Sequence, residues 1–266
     1  MRPAMTRAAL LGGVWLGALA AFATDDARAQ QGPFLYVPNF GSNSVTVIDT
    51  PTNTTVPPAI LVGISPFTAG VRGDGSLVYV ANSGTNNVSA IDTATNTVVA
   101  TIAVGSTPLG VTVSPDGTRV YAANQDNNTV SVINTANNTV VATVLVGGAP
   151  QLIAFSPDGT RAYVTNAGSD SISVINTANN TVVATVGVGG GPIGVAIAPD
   201  GTRAYVANSS VGNVSVIDTS NNTVVATIGA GIAPTGVAVS PNGTRAYVTN
   251  GATNNVPSST PRPIRS

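Results

Sequence analysis

Short runs in which apolar and polar residues alternate fill the chain from about residue 34 to residue 256. Ser171-Ile172-Ser173-Val174-Ile175 is a typical run, and its alternation places the apolar residues on one face of a β-strand. Groups rich in Gly, Pro, Asn and Asp separate the runs, and these residues favour turns. Beyond the N-terminal segment, apolar residues do not recur at helical spacing. The pattern predicts an all-β fold built from many short strands.

One tetrapeptide recurs along the chain at a fixed interval. Its copies begin at Tyr79, Tyr121, Tyr163, Tyr205 and Tyr247, each 42 residues after the last, and Tyr36 precedes them by 43. All six tyrosines of the chain occupy this one position. A repeat of this length that holds four short strands predicts the blade of a β-propeller.

The four strands of a blade can be assigned within one repeat. We label them a to d, with a innermost, and in one complete repeat they are Leu152–Phe155, Thr160–Val164, Ser171–Ile175 and Thr181–Val186. Ser156-Pro157-Asp158-Gly159 supplies the a–b turn, because Pro, Asp and Gly each favour turn geometry. Gly189-Gly190-Gly191-Pro192 crosses from strand d to the next blade.

The number of blades does not come out as a whole number. Four repeats are complete and start near Val71, Val111, Ile153 and Val195. The N-terminal side supplies only strands b, c and d, and the C-terminal side only strands a and b. We therefore expect five to six blades and a ring that is incomplete or imperfectly closed. An unfinished blade leaves an open strand edge, which invites self-association through pairing with another chain.

The two ends of the chain differ from the repeats. Arg2 and Arg7 precede an apolar run over 8–23, and Ala27-Arg28-Ala29 is a cleavage site of the A-x-A type, with Ala21-Phe22-Ala23 as an alternative. We interpret residues 1–29 as a signal peptide and residues 30–256 as the propeller. A membrane anchor is the less favoured alternative, because the run is short for a span. Residues 257–266 form a Pro/Ser-rich irregular tail. The mature protein is expected in the periplasm or outside the cell, without stable membrane insertion.

The amino-acid composition limits the kinds of site that the protein can contain. Asp, Glu, Lys and Arg make up only 8% of the chain, and Lys, Glu, His and Cys are absent. This excludes a thiol nucleophile, a Ser-His pair, a Cys/His zinc site and an axial haem histidine. We therefore expect no enzyme activity, no catalytic residues, no cofactor and no metal. From Gln30 onward the chain carries seven Arg and nine Asp, so we expect no nucleic-acid partner.

The repeat resembles a known family. The tetrad Tyr163-Val164-Thr165-Asn166, the turn Ser114-Pro115-Asp116-Gly117 and the segment Val216-Ile217-Asp218-Thr219 are similar to the YVTN family of β-propeller repeats. Members include periplasmic YncE-like proteins, surface-layer proteins and lactonase-like propellers. The resemblance implies a secreted propeller but no single activity. Lactonase propellers are expected to use His and Glu, and DNA-binding relatives basic and aromatic residues, so this chain departs from both.

The positions at which the repeats differ point to a binding face. The b–c loops vary most, and in a propeller they share one face with the d–a crossings, where ligands often bind. Asp126, Gln151 and Asp170 are the candidate binding residues; the alternative is that they are merely solvated. Arg72-Gly73-Asp74 aligns with the a–b turns of other repeats, so we interpret it as a turn.

These observations favour a non-enzymatic, secreted or periplasmic binding scaffold. The expected partner is a protein or a cell-surface ligand whose identity the sequence does not specify. A self-associating structural module similar to surface-layer proteins is the first alternative. A lactonase-like hydrolase is the less favoured alternative, because Asp and Ser residues are present but nothing in the sequence clusters them.

Overall fold

A computed structural model describes residues 33–252 and the backbone of residues 21–23. The other residues of the predicted signal peptide, and the predicted tail at 257–266, lie outside the described residues. Within the described part the chain is built from strands β1–β22 and one turn of 3₁₀ helix at Gln125–Asn127, with no α-helix. The all-β prediction is confirmed.

The strands form five four-stranded antiparallel sheets and one two-stranded sheet. Each sheet takes its strands in chain order, as blades of a propeller do, so we number the sheets as blades 1 to 5 and the sixth sheet. Blade 1 contains β1 (Ala21–Ala23), β2 (Phe34–Asn39), β3 (Ser44–Asp49) and β4 (Thr54–Leu61). Blade 2 contains β5 (Pro66–Val71), β6 (Leu77–Asn82), β7 (Asn87–Asp92) and β8 (Thr97–Ala103).

The remaining blades follow the same order. Blade 3 contains β9 (Pro108–Val113), β10 (Arg119–Asn124), β11 (Thr129–Asn134) and β12 (Thr139–Leu145). Blade 4 contains β13 (Pro150–Phe155), β14 (Arg161–Asn166), β15 (Ser171–Asn176) and β16 (Thr181–Gly187). Blade 5 contains β17 (Pro192–Ile197), β18 (Arg203–Asn208), β19 (Asn213–Asp218) and β20 (Thr223–Gly229). The sixth sheet contains β21 (Pro234–Val239) and β22 (Ala246–Asn250).

The hydrophobic core is divided among the interfaces between neighbouring blades. At the interface of blades 3 and 4, Tyr121 and Val132 of blade 3 pack against Ile153, Val164 and Ile175 of blade 4. The other interfaces repeat this arrangement with the corresponding residues. The alternating pattern of each strand therefore supplies both faces of a blade, because one face packs on the preceding blade and the other on the following one.

Innermost strands of adjacent blades approach each other closely, as the crowding near a propeller axis requires. A Cβ atom on Gly194 of β17 would lie 2.5 Å from the carbonyl oxygen of Thr235 in β21. Real side chains do not tolerate such a contact, so only glycine fits there.

Buried tyrosines also connect successive blades. The Tyr79 hydroxyl donates to Asn138 Oδ1 of blade 3 over 3.0 Å, and the Tyr121 hydroxyl donates to Asn180 Oδ1 of blade 4 over 2.6 Å. Burial raises the pKa of both tyrosines to about 12. Because each hydroxyl reaches the c–d turn of the next blade, these bonds fix the outer part of one blade relative to its neighbour.

Blade 1 differs from the sequence-based expectation. We assigned it only strands b, c and d, but β1 pairs antiparallel with β2, with Ala21 opposite Tyr36 and Ala23 opposite Phe34. Residues inside the predicted signal peptide therefore take the innermost position of blade 1. Pairing satisfies the inner edge of β2, which would otherwise be open to other strands. The signal peptide itself stays a prediction, and cleavage near Gln30 would remove β1 from blade 1.

The sixth sheet is unfinished, in agreement with the predicted count of five to six blades. It pairs β21 with β22, and among the described residues it has no strand c or d. Tyr247 of β22 is 37% exposed, whereas the equivalent Tyr205 of blade 5 is 7% exposed. The side of β22 on which a following blade would pack is therefore open in the described structure.

Candidate binding face

The b–c loops and the d–a crossings lie together on one face, which we call the loop face. In blade 2 the backbone N–H of Ser83 donates to Ser65 O and that of Gly84 donates to Ile64 O. Blades 3, 4 and 5 repeat these two bonds between loop and crossing at the corresponding residues. Each b–c loop is thus fixed to the crossing that leads into its own blade.

In blades 1 to 4 a side-chain bond also fixes the b–c loop to the next crossing. The loop ends on a residue in the left-handed conformation, whose Oδ1 accepts the backbone N–H of the following crossing at 2.8–2.9 Å. Asn43, Asn86, Asn128 and Asp170 make these bonds in blades 1 to 4. Asn and Asp suit this position because they tolerate positive φ. Blade 5 has Gly212 there, with a φ of 66°.

Asp170 belongs to this recurring bond, and its carboxylate accepts the N–H of Gly191 at 2.8 Å. Asp126 lies on the exposed 3₁₀ turn of the blade 3 loop, where its carboxylate accepts the Thr107 hydroxyl at 2.5 Å. Gln151 is the second residue of β13 and is half-buried, and its Nε2 donates to the carbonyl oxygen of Ala149 at 3.3 Å. The three predicted residues therefore lie in adjacent blades at the same face, each held by a different neighbour.

A cleft of about 500 Å³ opens next to the loop that carries Asp126. Ala103, Val104 and Gly105 at the end of blade 2 form one side. Polar side chains from blade 3 form much of the other side: Asn127, Thr129, Ser131 and Thr143. The residues around Asp126, which the sequence comparison of loops did not single out, thus add hydroxyl and amide groups to this face.

The opposite face, which we call the turn face, carries the a–b and c–d turns and is nearly uniform. In blade 3 the Asp116 carboxylate accepts the Ser114 hydroxyl at 2.5 Å and the Thr118 N–H at 3.0 Å. These bonds, the Ser114 bond most of all, lower the pKa of Asp116. Asp158 repeats the arrangement in blade 4. Thr135 of the c–d turn donates to the carbonyl of Gly117 in the a–b turn, which joins the two kinds of turn.

The integrin-type tripeptide is part of the turn face. The Arg72 guanidinium makes a two-pronged contact with the Asp74 carboxylate, with Nε and Nη2 as donors. This contact holds the pKa of Asp74 well below its usual range. Both charged groups of Arg72-Gly73-Asp74 are therefore used within the turn, as its alignment with the other a–b turns predicted.

The invariant asparagine of the tetrapeptide is fully buried in blades 2 to 5. In blade 4, Asn166 Nδ2 donates to Ser171 Oγ at 3.2 Å and to Ser173 Oγ at 3.0 Å. In blade 3, Asn124 Nδ2 donates to Ser131 Oγ at 2.9 Å. The amide joins strand b to strand c, so the recurrence of this residue reflects the blade and not a ligand.

Two further observations concern sites and spans. Across residues 33–252, no group of three or more acidic, His or Cys side chains has the arrangement of a metal site. In the same part of the chain, no helix reaches the length and hydropathy needed to cross a membrane.

Comparison with known proteins shows the fold and the family. The chain is similar to a chain of Kuenenia stuttgartiensis hydrazine synthase, with 20% identity, a TM-score of 0.61, and coverage of 93% of this chain and 97% of that one. It is also similar to a functionally unknown protein from Desulfotomaculum acetoxidans DSM 771, with 20% identity, a TM-score of 0.74, and coverage of 82% and 72%. At this identity both likenesses concern the fold alone.

A search of the curated proteins finds no match. The model of the YncE-like β-propeller family matches residues 14–157, which is more than half of the 266 residues. The repeated tetrapeptide and the blades described above agree with this match. The chain therefore belongs to the YncE-like β-propeller family.

Proposed function

We propose that this propeller is a non-enzymatic interaction scaffold that acts in the periplasm or outside the cell and binds a protein or cell-surface ligand on its loop face. The observation that carries the proposal is a contrast between the two faces. On the loop face the bonds that hold each loop recur, but the side chains differ from blade to blade. On the turn face the bonds recur, and most of the side chains recur with them.

The loop sequences make this contrast concrete. The four residues of the b–c loop are SGTN in blade 2, QDNN in blade 3, AGSD in blade 4 and SSVG in blade 5. The a–b turns vary less: they read RGDG in blade 2, SPDG in blades 3 and 4, APDG in blade 5 and SPNG in the sixth sheet. A constant backbone frame that presents changing side chains is typical of a binding face on a repeat fold.

Composition supports a non-enzymatic role. His, Cys, Glu and Lys supply most general bases and nucleophiles, and the chain contains none of them. Of its aspartates, Asp116 and Asp158 serve turns and Asp170 serves a loop. The N-terminal segment with its A-x-A site supports export.

Site-specific photo-cross-linking in the native cells tests the loop face. A photoreactive residue replaces Asp126 on the loop face or, as the matched control in the same blade, Asn137 on the turn face. Both side chains are exposed. We expect a discrete adduct from position 126 and a much weaker one from 137. Equal adducts from both positions, or an adduct from 137 alone, would overturn the proposal.

The unfinished sixth sheet favours a second candidate function, a self-associating structural module. The open side of β22, with Tyr247 exposed, is a sheet surface that complete blades cover with their neighbours. Light scattering after size exclusion tests this role: the mass should rise with concentration. A monomer at the highest soluble concentration would rule it out and leave the loop-face proposal intact.

A further inference from the structure

The outer edge of β22 lacks the neighbour that every other strand b has in the described structure. In blades 2 to 5, strand b pairs with strand c over six residue pairs. β22 pairs with β21 on its inner side, and the described residues provide no strand on its outer side. Unpaired N–H and C=O groups along such an edge are a template for an added strand.

Three contacts hold strand c in blades 2 to 5, and blade 4 shows them clearly. Ser173 accepts the Asn166 amide at 3.0 Å. Ile175 is fully buried in the interface with blade 3. Thr177 donates to the carbonyl of Gly159 in the a–b turn at 2.7 Å. Strand c is therefore recognised by the pattern Ser-x-Ile-x-Thr.

The same pattern recurs in the other complete blades that follow blade 1. Its residues are Ser89, Ile91 and Thr93 in blade 2, Ser131, Ile133 and Thr135 in blade 3, and Ser215, Ile217 and Thr219 in blade 5. All three isoleucines are fully buried, and all three threonines donate to the carbonyl of the a–b turn glycine.

The sixth sheet and blade 5 present the receiving side of each contact. Asn250 is the equivalent of Asn166, and within the described residues its amide donates to no side chain. Gly243 is the equivalent of Gly159. The apolar cluster between blade 5 and the sixth sheet has no strand-c isoleucine among the described residues. Accordingly Ile228 of blade 5 is only partly buried, whereas the equivalent Val186 of blade 4 is 6% exposed.

The chain's own sequence does not carry the pattern at the matching positions. Counting 42 residues on from blade 5 gives Pro257, Ser259 and Pro261 in place of Ser, Ile and Thr. Proline has no N–H to donate to a strand ladder, and serine cannot fill a socket that takes isoleucine. The recognition chemistry of this edge therefore fits a strand from another polypeptide better than the residues that follow β22.

We propose that the outer edge of β22, with the socket between blade 5 and the sixth sheet, binds an extended strand of a partner polypeptide that carries Ser-x-Ile-x-Thr. The partner strand takes the position of strand c, adds its ladder bonds to β22, and inserts its isoleucine into the socket. The surface is the continuation of an interface that the chain already builds within its complete blades. This site is separate from the loop face and needs no association between copies of this chain.

The test uses the full chain and a fluorescent peptide with the sequence of the blade 5 c–d hairpin, Asn213–Gly229. Fluorescence anisotropy should show saturable binding. The matched peptide with Ile217→Ser should bind at least about tenfold more weakly, because it lacks the side chain that fills the socket. Asn250→Ala in the chain should weaken binding about two- to tenfold, as expected for one hydrogen bond. Val183→Asp, on the exposed outermost strand of blade 4, should leave binding unchanged.

Three results would overturn the proposal. The first is the absence of saturable binding to a chain whose circular dichroism shows that it is folded. The second is equal affinity for the two peptides, which would indicate non-specific strand addition. The third is binding that appears only when residues 253–266 are removed, which would mean that the chain covers its own edge. A failed cross-link from position 126 affects none of these readouts, so the two proposals fail separately.

Discussion

Substitutions of Asp170 test whether this residue of the loop face serves the fold of its loop or the binding of a partner. Its backbone has a φ of 48°, and its Oδ1 accepts the N–H of Gly191 at 2.8 Å. Asn86 and Asn128 make the same bond in the two preceding blades. If the acceptor oxygen and the left-handed conformation are what matter for folding, then Asp170→Asn should leave the free energy of unfolding within about 0.5 kcal/mol.

Two other substitutions at this position give the magnitudes. Asp170→Ala removes one exposed hydrogen bond, which contributes about 0.5–1.5 kcal/mol. Alanine is also strained at positive φ, because it has a Cβ but no polar side chain that could bond locally, and this strain costs about 1 kcal/mol more. The expected loss is therefore about 1.5–2.5 kcal/mol. Asp170→Gly also removes the bond, but glycine adopts positive φ without strain, as Gly212 does in blade 5. About half of the loss for alanine is therefore expected.

Urea unfolding of the three variants, followed by circular dichroism, measures these differences. The expected order of stability is Asn equal to Asp, then Gly, then Ala. A loss above about 1 kcal/mol for Asp170→Asn, or equal losses for Asn and Ala, would show that the fold requires the carboxylate itself and not only an acceptor oxygen at positive φ. Cross-linking from position 126 in the Asp170→Asn chain then asks separately whether the carboxylate contacts a partner.

Three further predictions concern the pH dependence of stability, the core between blades and the mature N-terminus. The pKa of Asp116 is lowered in the folded chain, so its carboxylate stabilises the fold at a pH above its unfolded pKa of about 4. This stabilisation is lost as the pH falls through the folded pKa. Asp116→Asn should therefore flatten the dependence of the urea midpoint on pH between about 5 and 2. Ile133→Ala empties a fully buried site between blades and should cost about 2–5 kcal/mol in urea unfolding, whereas Val141→Ala, on the exposed outer strand, should change stability by less than about 0.5 kcal/mol. Mass spectrometry of the exported protein should find an N-terminus near Gln30, and a first residue at or before Ala21 would contradict the predicted cleavage.

Much of the fold could be predicted because the same strand and turn signals recur in every repeat. The 42-residue spacing of the tyrosines, the alternating strand c and the Ser-Pro-Asp-Gly turn together specified a four-stranded blade. The unfinished end was visible as well, since Pro257 interrupts the pattern where strand c should continue. Local turn chemistry and strand alternation are short-range signals, so a single sequence is enough to show them.

The sequence pattern could not predict the contacts between blades or the strand pairing at the N-terminal edge. Ala21–Ala23 carries no strand signal of its own, and its pairing depends on the open edge of β2. Asp170 stood out because its loop differs from the others, but the bond to Gly191 shows that it occupies a position shared with asparagine. The sequence shows this role only in the last residue of the b–c loops, which is Asn, Asp or Gly in every blade, and these residues tolerate positive φ.

The complete blades are copies of a single frame, and among the described residues the sixth sheet is that frame without strands c and d. Hydrogen exchange of backbone amides, resolved by residue, tests the claim most directly. Strand b should be protected to a similar degree in blades 2 to 5, in β6, β10, β14 and β18. Amides on the outer edge of β22 should exchange at least about a hundredfold faster, because no strand within residues 33–252 covers them. Protection of β22 equal to that of β18 would contradict the account.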